Sequence, residues 1–276
     1  LKKIPSEHIM LKPQKTAIDC SFHSPCIELN YYDQGAGETL IFIHGLGGNA
    51  ASWRYQLEGL SAQWRTIAPD LRGHGQSGYR PEEAISIRAF ADDIIDLTRK
   101  LGITQAHFCG LSMGGMIALE IYLRYPLQVK SLILADTTAF FPNLARLEEF
   151  LRLLDSMSML QWAQIGAHLN LRRQAPAALR QELIDVTAAT PRGPYRQALI
   201  ATFNGDYRWL LPVIDVPTLI LVGAEDQSTP LGLAKYLQIH IKNAILQFIP
   251  EAAHCSNLEN PEEFNRHLVA HLQGMG

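Results

Sequence analysis

Gly110-Leu111-Ser112-Met113-Gly114-Gly115 is the stretch of this sequence with the most direct chemical consequence. It follows an apolar run, Ala106 to Cys109, and leads into a helical pattern that contains Ile117, Ala118 and Ile121. Strand, sharp turn and helix form the context in which a serine hydroxyl is presented as a nucleophile. Glycines at 110 and 114 let neighbouring backbone come close without a Cβ collision. The start of the following helix offers unpaired N–H groups and a positive dipole end to developing negative charge. Serine is a weak nucleophile at its free pKa, so it needs a base within reach and a group that orients the base.

Position singles out His254 among the ten histidines as that base. It lies between the last predicted strand, Ala244 to Ile249, and the last predicted helix, Pro261 to Leu272. Asp226, just after the predicted strand Pro217 to Val222, is the first choice for the orienting carboxylate. Its rivals are the adjacent Glu225 and Asp136, which follows the strand Ser131 to Ala135. With Asp226 the chain order is Ser112, Asp226, His254, a nucleophile–acid–base order. Ile43-His44-Gly45-Leu46-Gly47-Gly48 follows the strand Thr39 to Ile43, where a second oxyanion donor is expected. The backbone N–H groups of Leu46 and Met113 are the expected donors, each typically worth ~3 kcal/mol of transition-state stabilisation. His44 reads more readily as a structural histidine that fixes this loop than as a catalyst. The chemistry these residues support is acyl transfer.

The elements that must position them alternate as short apolar runs and amphipathic stretches, the pattern of a mostly parallel sheet flanked by helices. Further strands are expected at Cys26 to Tyr32 and Arg65 to Ala68. Helices are expected at Ala51 to Gln63, Ile85 to Leu101, Met113 to Arg124 and Gly232 to Ile239. Ile87, Phe90, Ile94, Ile95, Leu97 and Leu101 fall largely on one face of the second of these. The alternation breaks over residues 137–216, which carry helical patterns at Leu144 to Met157, Ser158 to His168, Pro176 to Ala188 and Tyr195 to Phe203. We therefore expect a core of residues 1–136 and 217–276, with residues 137–216 as a helical cap above the carboxyl ends of the strands, where open sheets bind ligands.

Bulk properties narrow the partners. A net charge of -3 and 47% hydrophobic residues in 276 point away from nucleic acid and anionic membranes. The longest apolar runs are strand-sized, and no signal-peptide core follows Leu1-Lys2-Lys3. Cys20, Cys26, Cys109 and Cys255 show no metal-ligand spacing, and free thiols in a reducing cytoplasm are the expectation. No metal site and no cofactor is expected. Asp70-Leu71-Arg72-Gly73-His74-Gly75-Gln76-Ser77-Gly78 is a poor dinucleotide fingerprint because Tyr79-Arg80-Pro81 cannot continue it as a helix. It reads as a tight structural loop. Residues 137–216 hold eight arginines, no lysine and seven acids, for +1 against -4 elsewhere. Arginine can hold a carboxylate in a bidentate fork. Arg172 or Arg173 is the expected contact to an anionic substrate, with a solvated helix surface as the alternative.

HGLGG at 44–48, DLRGHGQSG at 70–78, GLSMGG at 110–115, GAEDQSTP at 223–230 and AAHCSNLENPEEFN at 252–265 together resemble the α/β-hydrolase superfamily from about residue 26 onward. Within it, FCGLSMGGM and SNLENPEEFN are most similar to 3-oxoadipate enol-lactonase and related esterases. The resemblance implies an α/β-hydrolase fold with a helical lid inserted between late strands. It also implies hydrolysis of a small-molecule ester or lactone, as in aromatic catabolism, without a cofactor. Several enol-lactonases carry a serine-containing variant in place of HGLGG. Dehalogenases and epoxide hydrolases of the fold need aspartate where Ser112 stands. Carbon–carbon ring-cleavage hydrolases usually have tryptophan where Cys255 follows the histidine. These last, aminoacrylate or amide hydrolases, and a ligand sensor with weak turnover are the alternatives.

Overall fold

A computed structural model describes residues 12–17, 27–143 and 145–274. Among these residues eight strands form one sheet: β1 (Gln14–Ala17), β2 (Glu28–Gln34), β3 (Thr39–Ile43), β4 (Arg65–Pro69), β5 (Ala106–Leu111), β6 (Val129–Ala135), β7 (Thr218–Gly223) and β8 (Ile245–Ile249). Their spatial order is β1-β2-β4-β3-β5-β6-β7-β8. The β1–β2 and β2–β4 pairings at one edge are antiparallel, and the pairings from β4–β3 to β7–β8 are parallel. Strands β3, β5 and β7 are buried along their whole length, as parallel strands covered on both faces must be.

Alternation along β3 shows the two cores. Leu40 and Phe42 pack with Trp53, Cys109, Leu219 and Phe264 on one face. Ile41 and Ile43 pack with Phe90, Phe108, Ile117 and Leu134 on the other. Helices α1 (Arg54–Leu60) and α10 (Pro261–Gln273) supply the first layer, and α2 (Ile87–Lys100), α3 (Met113–Arg124) and α8 (Leu231–His240) the second. The Ser86 side chain caps α2 by accepting the Ala89 N–H, and Asn260 caps α10 by accepting that of Glu263.

Between β6 and β7 stand α4 (Ala145–Ser156), α5 (Met159–Asn170), α6 (Ala177–Ala189) and α7 (Arg192–Asn204), with no strand among the described residues. An isolated bridge between Phe140 and Asp206, with the Tyr207 N–H on the Ala139 carbonyl, ties the two ends of this stretch together. The four-residue α9 (Ser256–Glu259) precedes α10. No helix among the described residues is long and apolar enough to cross a membrane.

Departures from expectation have local causes. β1 has only one apolar residue, so no hydrophobic pattern marks it; β2 supplies its ladder. The strand expected from Cys26 begins at Glu28, and Cys26 lies outside the described residues. The expected helix over Ala51 to Gln63 is a 3-10 turn, Ala50–Trp53, followed by α1; the Asp70 carboxylate accepts the Ala50 N–H at 2.6 Å and holds that turn. Helix α7 starts ahead of Tyr195 because Pro194 sits in its first turn, where the missing N–H has no intrahelical partner to lose.

Candidate active site

Ser112 occupies the turn between β5 and α3 with φ 57° and ψ −119°, a left-handed conformation that costs of order 1–3 kcal/mol outside glycine. The surroundings enforce it. A Cβ on Gly110 would fall 2.1 Å from the Gly114 carbonyl oxygen, and one on Gly114 would fall 2.2 Å from that of Ile43. The Ser112 N–H donates to the Ala135 carbonyl, and Thr137 Oγ1 donates to that of Ser112. The serine is thereby locked to β3, β5 and β6 at once.

The Ser112 hydroxyl stands 2.9 Å from Nε2 of His254, on the loop after β8. Nδ1 of His254 lies 2.9 Å from Oδ2 of Asp226, on the loop after β7. An ionised carboxylate only accepts, so this contact fixes the Nδ1–H tautomer and leaves Nε2 free to accept the serine proton. Asp226 also accepts the N–H groups of Ser228 (2.8 Å) and Thr229 (3.0 Å) and the Thr229 hydroxyl (2.7 Å). Burial would raise its pKa, but the His254 charge and these hydrogen bonds outweigh burial and hold it down to about 2. Burial works against the His254 cation as well, yet the Asp226 carboxylate overrides it and raises the imidazole above its usual value.

The rival carboxylates stand elsewhere. Glu225 is exposed and lies 3.7 Å from Arg172. Asp136 is fully buried, accepts the Gly223 N–H at 2.7 Å and pairs with the Ser256 hydroxyl at 2.5 Å. Burial, reinforced by the nearby Asp226 charge, pushes it up to about 8. Sequence reasoning raised Asp136 as a catalytic acid; its actual contacts tie the end of β7 to the turn that follows His254. His44 accepts the Leu71 N–H at Nε2 and places Nδ1 2.8 Å from the Gly45 carbonyl, and burial lowers its pKa to about 4. It is a neutral bracket for its loop. Asp70 similarly accepts the N–H groups of Ala50 and Gln76 and the Asn30 amide, so the glycine-rich segment after β4 is structural.

A Cβ on Gly45 would lie 3.2 Å from that of Ser112, so the loop carrying Leu46 runs directly beside the serine. Met113 opens α3, and among the described residues no hydrogen bond within the chain occupies the N–H of Leu46 or Met113. Above them lies a cavity of about 190 Å³, lined by Ser112 and His254 and by apolar side chains such as Leu46, Phe141, Phe150, Trp162, Leu199 and Phe203. Several of the aromatic rings are in mutual contact, with Phe141 stacked on Phe203 at 4.4 Å and Phe150 set edge-on to both Trp162 and Phe203.

Helices α4–α7 supply most of this wall and rest on the strand-end loops. Thr187 donates to the Gly47 carbonyl, and Arg54 forks onto Glu182 at 2.6 and 2.9 Å. Neither Arg172 nor Arg173 lines the cavity, which corrects the expectation from composition. Arg172 is drawn away among Glu225, Glu251 and Glu259, while Arg173 is exposed to solvent. The arginine that does line the cavity is Arg146, which net charge could not distinguish from its seven companions. Thr229 was also missed; its sequence signal was a hydroxyl three residues after the chosen acid, in reach of the same carboxylate. No cluster of three metal-ligating side chains occurs among the described residues.

The sequence profile of the alpha/beta hydrolase fold matches residues 38–261, which span strand β3 through the start of α10. The chain belongs to this family. This alpha/beta hydrolase is 30% identical over 231 residues to 3-oxoadipate enol-lactonase 1 of Acinetobacter baylyi, covering 82% of this chain and 85% of the relative. It is 30% identical over 247 residues to the pimeloyl-[acyl-carrier protein] methyl ester esterase of Neisseria meningitidis, covering 83% and 91%. Among solved structures, a thermophilic esterase from Thermogutta terrifontis superposes with a TM-score of 0.89 at 26% identity, covering 95% of this chain and 98% of that one.

Proposed function

We propose that this alpha/beta hydrolase cleaves a carboxylic ester or enol-lactone of a small molecule through an acyl-enzyme on Ser112. The observation that carries this reading is the continuous chain of contacts from Ser112 Oγ through His254 to Asp226, opening onto an apolar cavity. Its similarity to an enol-lactonase and to an ester hydrolase supports the choice of bond. Residues 137–216 act as a cap that shapes the acyl-binding space, and residues 1–136 and 217–276 form the catalytic core.

Ser112 Oγ attacks the carbonyl carbon as His254 Nε2 takes the hydroxyl proton. The carbonyl oxygen becomes an oxyanion held by the N–H groups of Leu46 and Met113. Collapse breaks the bond to the alcohol oxygen, which receives the proton from His254 and leaves an ester on Ser112. Water then gives a proton to His254 and attacks that ester. The second collapse releases the carboxylic acid and returns the proton to Ser112. Asp226 stays ionised throughout and stabilises the imidazolium each time it forms.

The test is turnover of p-nitrophenyl butyrate with mass-spectrometric mapping of a fluorophosphonate probe. We expect the wild type to hydrolyse the ester with multiple turnovers and to carry the probe on Ser112. Ser112→Ala should lose both the label and the activity, a drop of about 10⁶ in kcat. Retained turnover in Ser112→Ala would overturn the nucleophile. Labelling of the wild type with no turnover would favour a ligand sensor over an enzyme.

A further inference from the structure

Seven of the eight arginines between residues 137 and 216 have an evident occupation or lie outside the cavity. Arg152, Arg180 and Arg192 donate to main-chain carbonyls, Arg192 to those of Leu154 and Met157 around the end of α4. Arg172, Arg196 and Arg208 face carboxylates, and Arg173 is exposed outside the cavity. Arg146 differs from all of them. It is half-buried, lines the cavity and lays its guanidinium over the Phe150 ring, 5.1 Å from the centroid. Among the described residues, no carboxylate or carbonyl engages its five N–H donors.

Helix stability does not explain this placement. Arg146 stands in the first turn of α4, the end at which the macrodipole disfavours a cation. Along α4, Arg146, Phe150 and Leu153 fall at i, i+4 and i+7, so one helix face turns an arginine and two apolar side chains into the cavity. His254 apart, Arg146 is the only side chain of that wall among the described residues that can carry a positive charge; the Tyr195 phenol and the Cys255 thiol are pushed up by burial and stay neutral. A lone cation beside an apolar wall attracts an opposite charge more strongly than it would in water.

We infer that Arg146 is a specificity-determining residue that receives a carboxylate carried by the substrate away from its scissile carbonyl. The preferred substrates are then monoanionic esters or lactones: an apolar chain against the aromatic wall, with the carboxylate in the guanidinium fork. One guanidinium with no second cation beside it suits a single negative charge better than a phosphate dianion. This inference rests on the hydrolase reading above and deepens it by naming the substrate class.

The experiment compares matched pairs, the p-nitrophenyl half-esters of adipic and suberic acid against p-nitrophenyl hexanoate and octanoate. The readout is the ratio of kcat/KM, charged over neutral, in wild type, Arg146→Met and Arg146→Lys. In the wild type that ratio should exceed unity. Arg146→Met should reduce it by roughly 10- to 100-fold, mainly through KM of the half-ester, as expected for one charged hydrogen-bonded contact. Arg146→Lys should retain part of the preference. Adipate should compete with the neutral ester in the wild type and lose that ability in Arg146→Met, whereas inorganic phosphate should compete poorly in both. A ratio at or below unity in the wild type, or one unchanged in Arg146→Met, would overturn the inference while Ser112-dependent hydrolysis of the neutral ester leaves the hydrolase reading standing. Absence of turnover on both members of the pair would bring down both readings.

Discussion

Asp136 follows strand β6 and Asp226 follows strand β7, so two carboxylates stand at neighbouring strand ends and both approach the loop that carries His254. Each is buried and each is hydrogen-bonded to a backbone N–H, yet their electrostatics diverge. Asp226 gathers donors: two amides, a hydroxyl and the imidazole, which together hold it ionised with its pKa near 2. Asp136 also accepts two amides, of Gly223 and Ser256, and the Ser256 hydroxyl, but no imidazole touches it and the Asp226 charge is nearby, so burial pushes it up to about 8. Two adjacent charges in one buried site would repel each other. The arrangement resolves this by keeping one carboxylate charged and the other largely protonated at neutral pH. Burial and hydrogen bonding to the backbone therefore do not separate the two carboxylates; the imidazole in direct contact with Asp226 does.

The largest expected effect breaks the charged member. Asp226→Asn keeps the shape and removes the charge that orients and stabilises the imidazolium, and kcat should fall by about 10⁴. The pH profile supplies the sign. His254 must be neutral to act as a base, and its raised pKa places the acid limb of kcat/KM above the usual histidine value. Without the Asp226 charge the imidazolium loses its main support, so the limb in Asp226→Asn should move to lower pH. An unmoved limb together with a small loss of rate would place the acid elsewhere. Asp136→Asn provides the counterpart. Asparagine resembles an acid that already carries its proton, so activity at neutral pH should stay within about tenfold of wild type, a change of ~1.4 kcal/mol or less. Steady-state kinetics of both variants on one neutral ester test the comparison, and a larger loss in Asp136→Asn would reverse it.

How much of this was legible beforehand follows from which interactions are local in sequence. Ser112 was legible because its strand, its turn and its helix are contiguous, and Gly110 and Gly114 mark the close approaches. His254 and Asp226 were legible by their positions after the last two strands, and the alternation of patterns gave the parallel part of the sheet within a few residues at each boundary. β1 was invisible because its polar residues owe their conformation to the backbone of β2. Residues 137–216 gave their helices but not the faces those helices present. Arg172 and Arg146 are the same residue type within one net charge. Only packing reveals that Arg172 meets Glu259 across 87 positions of sequence while Arg146 turns to the cavity. Chain proximity specifies the strand-end chemistry, whereas long-range contacts select among the cap side chains.

The smallest effect sharpens the comparison most finely, because it removes a single donor from Asp226 and leaves its charge. Thr229→Val deletes the 2.7 Å hydroxyl contact to Oδ2 in a side chain of nearly the same shape, while the Thr229 backbone N–H still reaches Oδ1 at 3.0 Å. A hydrogen bond to a carboxylate disperses its charge, so losing one concentrates that charge toward Nδ1 of His254. The imidazolium gains support, and the acid limb of kcat/KM should move to slightly higher pH, the direction opposite to that in Asp226→Asn. The rate at the pH optimum should fall only a few-fold, in keeping with ~1 kcal/mol for one intramolecular hydrogen bond. A limb that moves down in Thr229→Val would mean that the hydroxyl helps hold the carboxylate in position for the imidazole rather than competing with it for charge. The donors around Asp226 would then act as a geometric clamp, and the contrast with Asp136 would rest on orientation more than on ionisation.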